Sequence, residues 1–178
     1  MKKLVILDRD GTINYDSDQY IKSPAEWKPI PGSLEAIARL TQGDWHVVVA
    51  TNQSGIERGL FDMATLNAIH AEMHRAVAQA GGRIEAIFFC PHAASARCAC
   101  RKPQAGLLRE IGTRFDVDLE GVPVVGDALR DLEAAVSVGA RPCLVLTGKG
   151  RKTRETAGLP PGTEIFDDLA AVAARLAP

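Results

Sequence analysis

Five short runs of apolar and β-branched residues, each separated from the next by a longer stretch, constrain the fold of this 178-residue chain most strongly. The runs are hydrophobic at consecutive positions, which is typical of strands buried on both faces of a parallel sheet. Segments between them carry apolar residues three and four positions apart, the spacing of an amphipathic helix. The predicted strands are Leu4–Leu7, His46–Ala50, Ala86–Phe89, Pro123–Val125 and Pro142–Leu146, and the predicted helices are Leu34–Leu40, Leu66–Ala80, Leu107–Phe115, Leu132–Val138 and Leu169–Leu176.

The alternation of strands and helices predicts a three-layer, Rossmann-like α/β fold, with helices on both faces of a parallel sheet. Ser33 and Asp62 stand where helix N-caps belong, and Gly81-Gly82 is expected to end the long helix. We expect a single domain over residues 1–178, because no repeat or linker interrupts the pattern. Three connections exceed the usual few residues, namely Asn14–Ser33, Gln53–Ala64 and Cys90–Gln104.

Charge and hydropathy exclude several classes of function. The 21 Lys and Arg residues against 22 Asp and Glu residues give a net charge of −1, which argues against broad capture of nucleic acid or of an anionic membrane. No apolar run approaches the roughly 18 residues of a membrane-spanning helix, and Asp8 comes too early for a signal peptide. We therefore expect a cytoplasmic protein, with no nucleic-acid or membrane partner, whose balanced surface is compatible with a monomer.

Polar residues follow three of the predicted strands, at the edge where open α/β sheets bind ligands. The first strand is followed by Asp8 and Asp10, the second by Thr51 and the fourth by Asp127. Each aspartate alone has an ordinary structural interpretation, as a turn residue or as the N-cap of the next helix. Together their carboxylates would repel one another unless a cation lay between them, and oxygen ligands of this kind favour Mg²⁺.

A cluster of cysteines and one histidine is typical of a metal site. Cys90, His92, Cys98 and Cys100 give the pattern C-x-H-x5-C-x-C within 11 residues. Three thiolates and one imidazole complete the tetrahedral shell of a structural Zn²⁺, and in a cytosolic protein metal ligation is favoured over disulfides. The zinc is then expected to fix the loop that carries the residues just after it. Cys143 falls in an apolar strand and is interpreted as a small buried hydrophobic residue.

Two other polar segments are given ordinary interpretations. His70 and His74 lie four apart on one predicted helix with Glu72 between them, which is not the H-E-x-x-H order of a zinc protease. We interpret them as part of a partly exposed helix face. The basic segment at residues 148–152 lacks the spacing of a nucleotide-binding P-loop and is interpreted as a solvated loop.

The combination of motifs resembles the haloacid dehalogenase-like phosphohydrolases. The matching segments are Asp8-Arg9-Asp10-Gly11-Thr12, Thr51-Asn52, Arg101-Lys102-Pro103 and Gly126-Asp127-Ala128-Leu129-Arg130-Asp131, which occur in the family's order along nearly the whole predicted sheet. The resemblance implies a phosphatase without a large cap domain, because the gap between the first two motifs is too short to hold one. One departure is Ala128, where relatives often carry a lysine.

The resemblance also implies a role for each matching residue. Asp8 is expected to be the nucleophile that becomes a phosphoaspartate, and Asp10 the general acid and base. Thr51 and Lys102 are expected to hold the phosphoryl oxygens. A carboxylate and an ammonium group suit this chemistry, because attack on an anionic phosphate needs nearby positive charge. The expected Mg²⁺ ligands are Asp8, the Asp10 backbone carbonyl and Asp127.

Capless relatives with such a cysteine loop include phosphatases of a heptose bisphosphate and phosphatases of histidinol phosphate. The first motif continued to Asn14, the segment 51–56 and the triplet 147–149 favour the heptose bisphosphate, which places the reaction in nucleotide-activated heptose synthesis for lipopolysaccharide. Histidinol phosphate remains an alternative, as does a non-enzymatic, zinc-stabilised module that binds phosphorylated ligands. The expected substrate contacts are Asp16, Ser17, Asp18, Gln19, Asn52, Gln53, Ser54 and Arg101.

Overall fold

In the computed structural model, which describes residues 3–156 and 158–178, parallel strands form one sheet with helices on both faces. The strands are β1 (Lys3–Leu7), β2 (Trp45–Asn52), β3 (Ala86–Cys90), β4 (Pro123–Gly126), β5 (Arg141–Val145) and β6 (Glu164–Phe166). The helices are α1 (Ser33–Gln42), α2 (Met63–Gln79), α3 (Gly106–Phe115), α4 (Leu129–Val136), α5 (Gly150–Glu155) and α6 (Leu169–Leu176). The strand order is β3-β2-β1-β4-β5-β6, which confirms the predicted three-layer fold.

Strand β1 lies in the middle of the sheet, between β2 and β4. Its residues Val5, Ile6 and Leu7 are fully buried, because both faces of the strand are covered by helices. In the register of the sheet, Leu7 is opposite Val49 of β2 and Val125 of β4. The residues that follow these strands therefore emerge next to one another at one edge.

Two hydrophobic layers hold the sheet between its helices. Val5 and Leu7 point into the layer formed with α1, α2 and α6, whereas Leu4 and Ile6 point into the layer formed with α3 and α4. This alternation follows from the two-residue period of a strand. Cys143 is 2% exposed in the first layer, which confirms its interpretation as a small buried hydrophobic residue.

All five predicted strands and all five predicted helices are present, with bounds that differ by up to three residues. The short strand Glu164–Phe166 and the short helix Gly150–Glu155 were not predicted. Neither carries a usable pattern, because the strand has three residues and the helix, GRKTRE, has no apolar residue. The solvated-loop interpretation of residues 148–152 is therefore wrong for its second half, where the helix begins at Gly150.

One of the two predicted N-caps is wrong. Gly32 is the N-cap of α1, and Ser33 is instead its first residue, with a hydroxyl that donates to the Ile13 carbonyl at 2.6 Å. Asp62 does cap α2, because its Oδ1 accepts from the Thr65 backbone N–H at 2.8 Å. The predicted end of α2 is confirmed, since Gly81 follows the helix with a positive φ of 87°.

The three predicted long connections carry no strand and no α-helix between residues 14 and 32, 53 and 62, and 91 and 104. They contain the 3-10 turns Pro24–Glu26 and Ala94–Ala96 and an isolated bridge between Asn14 and Pro29. No cap domain therefore stands between β1 and α1. Within residues 3–156 and 158–178, no helix combines the length and the apolar character needed to cross a membrane.

Candidate active site

Three buried carboxylates meet at the carboxyl edge of the sheet. Asp8 follows β1, Asp127 follows β4, and Asp131 lies in the first turn of α4. One oxygen from each lies within 4.8 Å of the others, and the three residues are 5%, 1% and 1% exposed. The structure thus brings together Asp8 and Asp127, which are far apart in the sequence, and adds Asp131, which had no assigned role.

The Lys102 side chain lies among these carboxylates and is 3% exposed. Its Nζ donates to Asp8 Oδ1 at 3.0 Å, to Asp131 Oδ1 at 2.6 Å and to the Ala50 carbonyl at 2.7 Å. Burial alone would lower the pKa of Lys102, but the charges of Asp131 and Asp8 outweigh it and raise that pKa. The ammonium group is therefore charged and held beside Asp8 before any substrate arrives.

Asp131 acts as an anchor within this group. Its Oδ1 accepts from Lys102, and its Oδ2 accepts from the Ala128 backbone N–H at 3.1 Å. Because both oxygens are already engaged, Asp131 positions Lys102 and is a poor candidate for a metal ligand. Ala128 itself is 7% exposed and supplies only a backbone group to the site.

The raised pKa values of Asp8 and Asp127 are those expected where carboxylates surround a cation site. Burial, followed by the charge of Asp131, raises the pKa of Asp8 to about 6 against the opposing effect of Lys102. Burial, followed by the charge of Asp8, raises the pKa of Asp127 to about 8. Asp127 Oδ1 is buried with no hydrogen-bond partner. Carboxylates that repel one another around an unpaired oxygen fit a divalent cation with oxygen ligands.

The backbone next to Asp127 Oδ2 leaves no room for a Cβ at two neighbouring glycines. A Cβ added at Gly11, where φ is +84°, would come within 2.1 Å of Asp127 Oδ2, and one added at Gly148 would come within 2.3 Å of it. The same oxygen accepts from the Lys149 backbone N–H at 2.8 Å, and the Asp127 carbonyl accepts from the Thr153 hydroxyl at 2.8 Å. Two glycines and the start of α5 therefore fix the carboxylate of Asp127.

Asp10 lies beside this group with both of its oxygens engaged. Oδ1 accepts from Arg9 Nε at 2.9 Å and from Asn14 Nδ2 at 2.9 Å, and Oδ2 accepts from Gln53 Nε2 at 3.1 Å. Burial would raise the pKa of Asp10, but the Arg9 charge and these hydrogen bonds outweigh it and lower that pKa. The carboxyl group is thus kept in one orientation at the edge of the site.

Residues 51–53 line the cavity, and two of them also hold predicted catalytic residues by hydrogen bonds. Gln53 Nε2 also donates to the Thr51 hydroxyl at 3.0 Å, so that one carboxamide connects Thr51 with Asp10. The Asn52 carboxamide bonds the backbone of Lys102. Asn52 and Gln53 were predicted as substrate contacts, and the structure shows that both also hold neighbouring predicted catalytic residues in place.

An open cavity of about 240 Å³ leads to Asp8 and Asp10. Of the predicted substrate contacts, Gln19 is absent from its lining; its backbone N–H donates to the Ser17 hydroxyl at 3.1 Å. Arg130 and Lys149 line the cavity and were not predicted. The sequence held a clue to each of them: Arg130 lies three positions after Asp127, and Lys149 lies in the basic segment after β5. The predicted contacts that do line it are Asp16, Ser17, Asp18, Asn52, Gln53, Ser54 and Arg101.

The charges at the mouth of the cavity are mixed. Lys149 Nζ forms an ion pair with Asp16 at 3.2 Å and lies 3.9 Å from Asp18. Burial lowers the pKa of Arg130, but the nearby Asp8 and Asp131 charges outweigh it and raise that pKa. The mouth therefore offers a guanidinium that remains charged and a lysine held by one half-buried and one exposed carboxylate.

The four predicted zinc ligands lie together. The Cys90 sulfur is 3.1 Å from that of Cys100 and 3.6 Å from that of Cys98, and His92 Nδ1 is 3.5 Å from the Cys90 sulfur. A tetrahedral zinc with Zn–S bonds of about 2.3 Å places its sulfurs about 3.8 Å apart. The 3.6 Å separation is close to that value and the 3.1 Å separation is shorter, and both are far longer than a disulfide bond of about 2.05 Å. The cluster therefore fits Zn²⁺.

The cysteine loop, residues 90–100, is connected to the rest of the site by hydrogen bonds. The Gln53 N–H donates to the Cys90 carbonyl at 2.7 Å, and Arg101 Nη1 donates to the His92 carbonyl at 3.2 Å. The Ala93 N–H donates to the Glu57 carboxylate. The cysteine loop is therefore bonded both to residues 53–57, which precede it in the sequence, and to Arg101, which follows it.

The interpretation of His70 as partly exposed is wrong. His70 is 7% exposed and its Nε2 lies 3.1 Å from Arg9 Nη1. His70 and His74 were assigned to one partly exposed helix face because they lie four residues apart, but Arg9, which follows β1, contacts only His70 of the two. His74, one turn further along, is exposed as expected.

A family model and closely similar known sequences agree on the family of this chain. Residues 99–172 match the family model described as HAD-hydrolase-like. The chain is 64% identical over 174 residues to the D-glycero-beta-D-manno-heptose-1,7-bisphosphate 7-phosphatase of Bordetella bronchiseptica, covering 98% of this chain and 97% of the relative. It is 57% identical over 174 residues to the Pseudomonas putida enzyme of the same name, covering 98% and 99%.

Solved structures agree with these relatives. The crystal structure of the D,D-heptose 1,7-bisphosphate phosphatase from B. bronchiseptica, complexed with magnesium and phosphate, has a TM-score of 0.96 at 64% identity and covers 98% of this chain and 97% of that one. The corresponding phosphatase from Burkholderia thailandensis has a TM-score of 0.79 at 55% identity and covers 98% and 97%.

Proposed function

The chain belongs to the haloacid dehalogenase-like hydrolases, in the family of the heptose bisphosphate phosphatases, and we propose that it removes the 7-phosphate of D-glycero-β-D-manno-heptose 1,7-bisphosphate. The relatives that share 64% and 57% identity with it carry this activity in their names. The observation that carries the proposal is the buried Asp8 carboxylate, held 3.0 Å from the Lys102 ammonium at the base of an open cavity. The product would serve the synthesis of activated heptose for lipopolysaccharide.

The proposed reaction proceeds in two steps at Asp8. Asp10, whose pKa is lowered in the free site, takes up a proton as the negatively charged phosphate binds beside it. A carboxylate oxygen of Asp8 attacks the phosphorus, the bond from phosphorus to the sugar oxygen breaks, and Asp10 gives this proton to the leaving oxygen. Asp10 then takes a proton from a water molecule, whose oxygen attacks the phosphorus and releases inorganic phosphate from Asp8. Lys102 and Thr51 donate hydrogen bonds to the phosphoryl oxygens, and Lys102 also offsets their negative charge.

Magnesium fits this arrangement. Asp8, Asp127 and the Asp10 backbone carbonyl would hold it, and the unpartnered Asp127 Oδ1 is the oxygen best placed to bind. Bound there, Mg²⁺ neutralises charge on the phosphoryl group as the phosphoaspartate forms. The relative crystallised with magnesium and phosphate supports this assignment. The chain's own contribution is to keep these carboxylates fixed and close together.

Zinc fits the cysteine loop as a structural ion. Cys90, His92, Cys98 and Cys100 fill all four positions of a tetrahedron, which leaves no open position for catalysis. Lys102 follows Cys100 by two residues, and this short connection is expected to transmit the rigidity of the zinc site to the ammonium group.

The cavity lining suits a second phosphate on the substrate. Arg101, Arg130 and Lys149 lie around its mouth, and guanidinium groups can bind two phosphate oxygens at once. Histidinol phosphate has one phosphate and would give these cations no second phosphate to bind, so it is the weaker candidate. The acidic segment of the mouth is proposed to contact sugar hydroxyls, through Asp16, Ser17 and Asp18.

The deciding experiment measures phosphate release with Mg²⁺ from each anomer of the heptose 1,7-bisphosphate, with histidinol phosphate in parallel. We expect the β anomer to be hydrolysed fastest and to lose one phosphate from its 7-position. The Asp8→Asn variant should retain less than about a tenth of wild-type turnover while still binding the substrate, because only the attacking oxygen is lost. Asp44→Asn, at an exposed position outside the cavity, is the matched control.

Three results would contradict the proposal. Faster turnover of histidinol phosphate would assign the other substrate. Turnover by Asp8→Asn above a tenth of wild type would remove Asp8 as nucleophile. Binding of the bisphosphate by the wild-type chain without turnover would support a non-enzymatic binding module.

A further inference from the structure

Arg9 lies between the two aspartates of the first motif and is fully buried. It is the largest fully buried side chain within residues 3–156 and 158–178, at 0% exposure. A buried guanidinium requires partners, because it remains charged and can only donate hydrogen bonds. Its Nε donates to Asp10 Oδ1 at 2.9 Å and its Nη2 donates to Asp10 Oδ2 at 3.2 Å. This two-point contact fixes the plane of the Asp10 carboxylate.

The remaining partner of Arg9 is His70, on helix α2. Arg9 Nη1 donates to His70 Nε2 at 3.1 Å across 61 positions of sequence. Since arginine has no acceptor, His70 must accept at Nε2, which requires a neutral ring with its hydrogen on Nδ1. Burial, followed by the charge of Arg9, lowers the pKa of His70 to about 3, in keeping with a neutral ring.

Removal of His70 would leave one nitrogen of the guanidinium, Nη1, without an acceptor. In the described part of the chain, the hydrogen-bond partners of the Arg9 side chain are Asp10 and His70. Without His70, Nη1 would lack an acceptor in a buried place, and Arg9 would gain by turning towards another one. The Asn14 and Gln53 side chains also bond the Asp10 carboxylate, but neither of these side chains is bonded to the side chain of Arg9.

We propose that His70 is a positioning residue for the general acid and base, and that it acts through Arg9 to orient the Asp10 carboxylate. The inference rests on the proposed role of Asp10. Neither His70 nor Arg9 lines the substrate cavity, so their effect reaches the reaction only through Asp10. His70 therefore affects turnover more than substrate binding.

A metal site shared by His70 and His74 is the competing explanation for this pair, and the geometry disfavours it. His70 Nε2 faces an arginine donor, and a cation could not approach it there. Among residues 3–156 and 158–178, the residue groups suited to a metal ion do not include either histidine.

The test compares His70 variants that differ in whether they can reach Arg9. His70→Gln can place a carboxamide oxygen where Nε2 lies, whereas the shorter His70→Asn is polar but cannot, and His70→Leu has no acceptor. The matched control is His74→Leu, at the exposed histidine one turn along the same helix. Steady-state kinetics with the heptose bisphosphate are measured together with the melting temperature of each variant.

We expect kcat to fall about tenfold in His70→Asn and His70→Leu, with KM changed less than about twofold, because the carboxylate of Asp10 is misplaced rather than the substrate. His70→Gln should recover at least half of the wild-type kcat, and His74→Leu should match wild type. A purely structural role would instead make activity follow melting temperature. If His70→Leu does not fold, the Gln and Asn variants carry the comparison.

Two results would overturn the inference: a kcat within twofold of wild type in His70→Asn, or an equal loss in the Asn and Gln variants. A crystal structure of His70→Asn gives an answer independent of turnover. Displacement of Asp10 or Arg9 supports the inference, and unchanged positions of both overturn it. Absence of wild-type turnover would count against the proposed function alone, and the crystal structure would then decide the positioning role.

Discussion

The Asn52 carboxamide makes two hydrogen bonds with the backbone of Lys102. Its Nδ2 donates to the Lys102 carbonyl at 3.1 Å, and its Oδ1 accepts from the Lys102 N–H at 3.0 Å. Asn52 ends strand β2, whereas Lys102 follows the cysteine loop 50 positions later. The backbone that presents the proposed catalytic ammonium group is therefore bonded directly to the sheet.

Replacement of this carboxamide should impair both stability and turnover. In Asn52→Leu, two backbone groups of Lys102 lose their partners, and we expect the free energy of unfolding to fall by about 1–3 kcal/mol. A shift of the ammonium group should lower kcat by about tenfold or more. Urea unfolding and steady-state kinetics measure the two effects. Asn67→Leu, the same change at an exposed position of α2, is the control, and an equal loss there would contradict the explanation.

Substitution of Gly11 should disrupt the magnesium site. A Cβ at Gly11 would lie 2.1 Å from Asp127 Oδ2, so the proposed metal ligand must move in Gly11→Ala. We expect the Mg²⁺ concentration for half-maximal activity to rise at least tenfold, or activity to be lost. Titration of activity with Mg²⁺ measures this effect.

Gly121→Ala is the matched control for Gly11→Ala. Gly121 also has a positive φ, of 71°, but no atom lies within 4 Å of its added Cβ. The Gly121→Ala variant should therefore lose only the free energy of unfolding due to backbone strain, about 1–2 kcal/mol, and the dependence of its activity on Mg²⁺ should be unchanged. A similar Mg²⁺ dependence in the two variants would show that the collision with Asp127 is unimportant.

Removal of zinc should reduce stability before it reduces catalysis. We expect about one zinc per chain by metal analysis, and a melting temperature at least about 4 °C lower after chelation or in Cys98→Ser, because the loop then loses its cross-link. Turnover should decline as Lys102 becomes less fixed. Cys143→Ala, at the cysteine outside the cluster, should retain its zinc. An unchanged melting temperature of the zinc-free chain would exclude a structural role.

The buried His70 should make stability depend on acidity. In the folded protein its pKa is lowered to about 3, mainly by burial, from the usual 6.5. Below pH 6.5 the unfolded chain binds a proton that the folded ring does not, so the free energy of unfolding falls as pH falls from 6.5 towards 3. Each pH unit should contribute about 1.4 kcal/mol, and none of this loss is present above pH 6.5.

His70→Gln should remove this share of the pH dependence. Urea unfolding at several values between pH 4 and pH 7 should give a slope lower than that of wild type by about 1.4 kcal/mol per pH unit. The acidic residues titrate in both proteins, so the difference between them isolates the ring. His74→Gln, at an exposed position, should retain the wild-type slope. Equal slopes in wild type and His70→Gln would contradict the burial of a neutral His70.

The sequence predicted the parts of the fold and of the site that depend on the backbone alone. Continuous apolar runs such as Leu4–Leu7 identified the buried strands, and parallel strands necessarily bring Asp8 and Asp127 to one edge. The cysteine loop was equally predictable, because all four of its proposed ligands lie close together in sequence. The short elements α5 and β6 were missed, since neither is long enough to show a period.

Side-chain partners were harder to predict, because they depend on the angles at which helices and loops pack. The pairing of Asp131 with Lys102 brings together residues 29 positions apart, and that of Arg9 with His70 residues 61 apart. No pattern of nearby residues in the sequence predicts either of these pairings. Asn52 and Gln53 were identified as site residues, but their bonds to Lys102 and Asp10 depend on rotamers that the sequence does not specify.

Residues 15–32, the outer part of the connection from β1 to α1, can change independently of the proposed catalytic groups. Asp16 and Ser17 lie in this segment and line the cavity, whereas Asp8 precedes it and is held by Lys102. Insertions or exchanges in this segment therefore leave the proposed attacking group and its ammonium partner untouched. A lineage with this framework can evolve towards a new phosphate ester by altering one surface segment, while the machinery that breaks the phosphorus–oxygen bond is passed on unchanged.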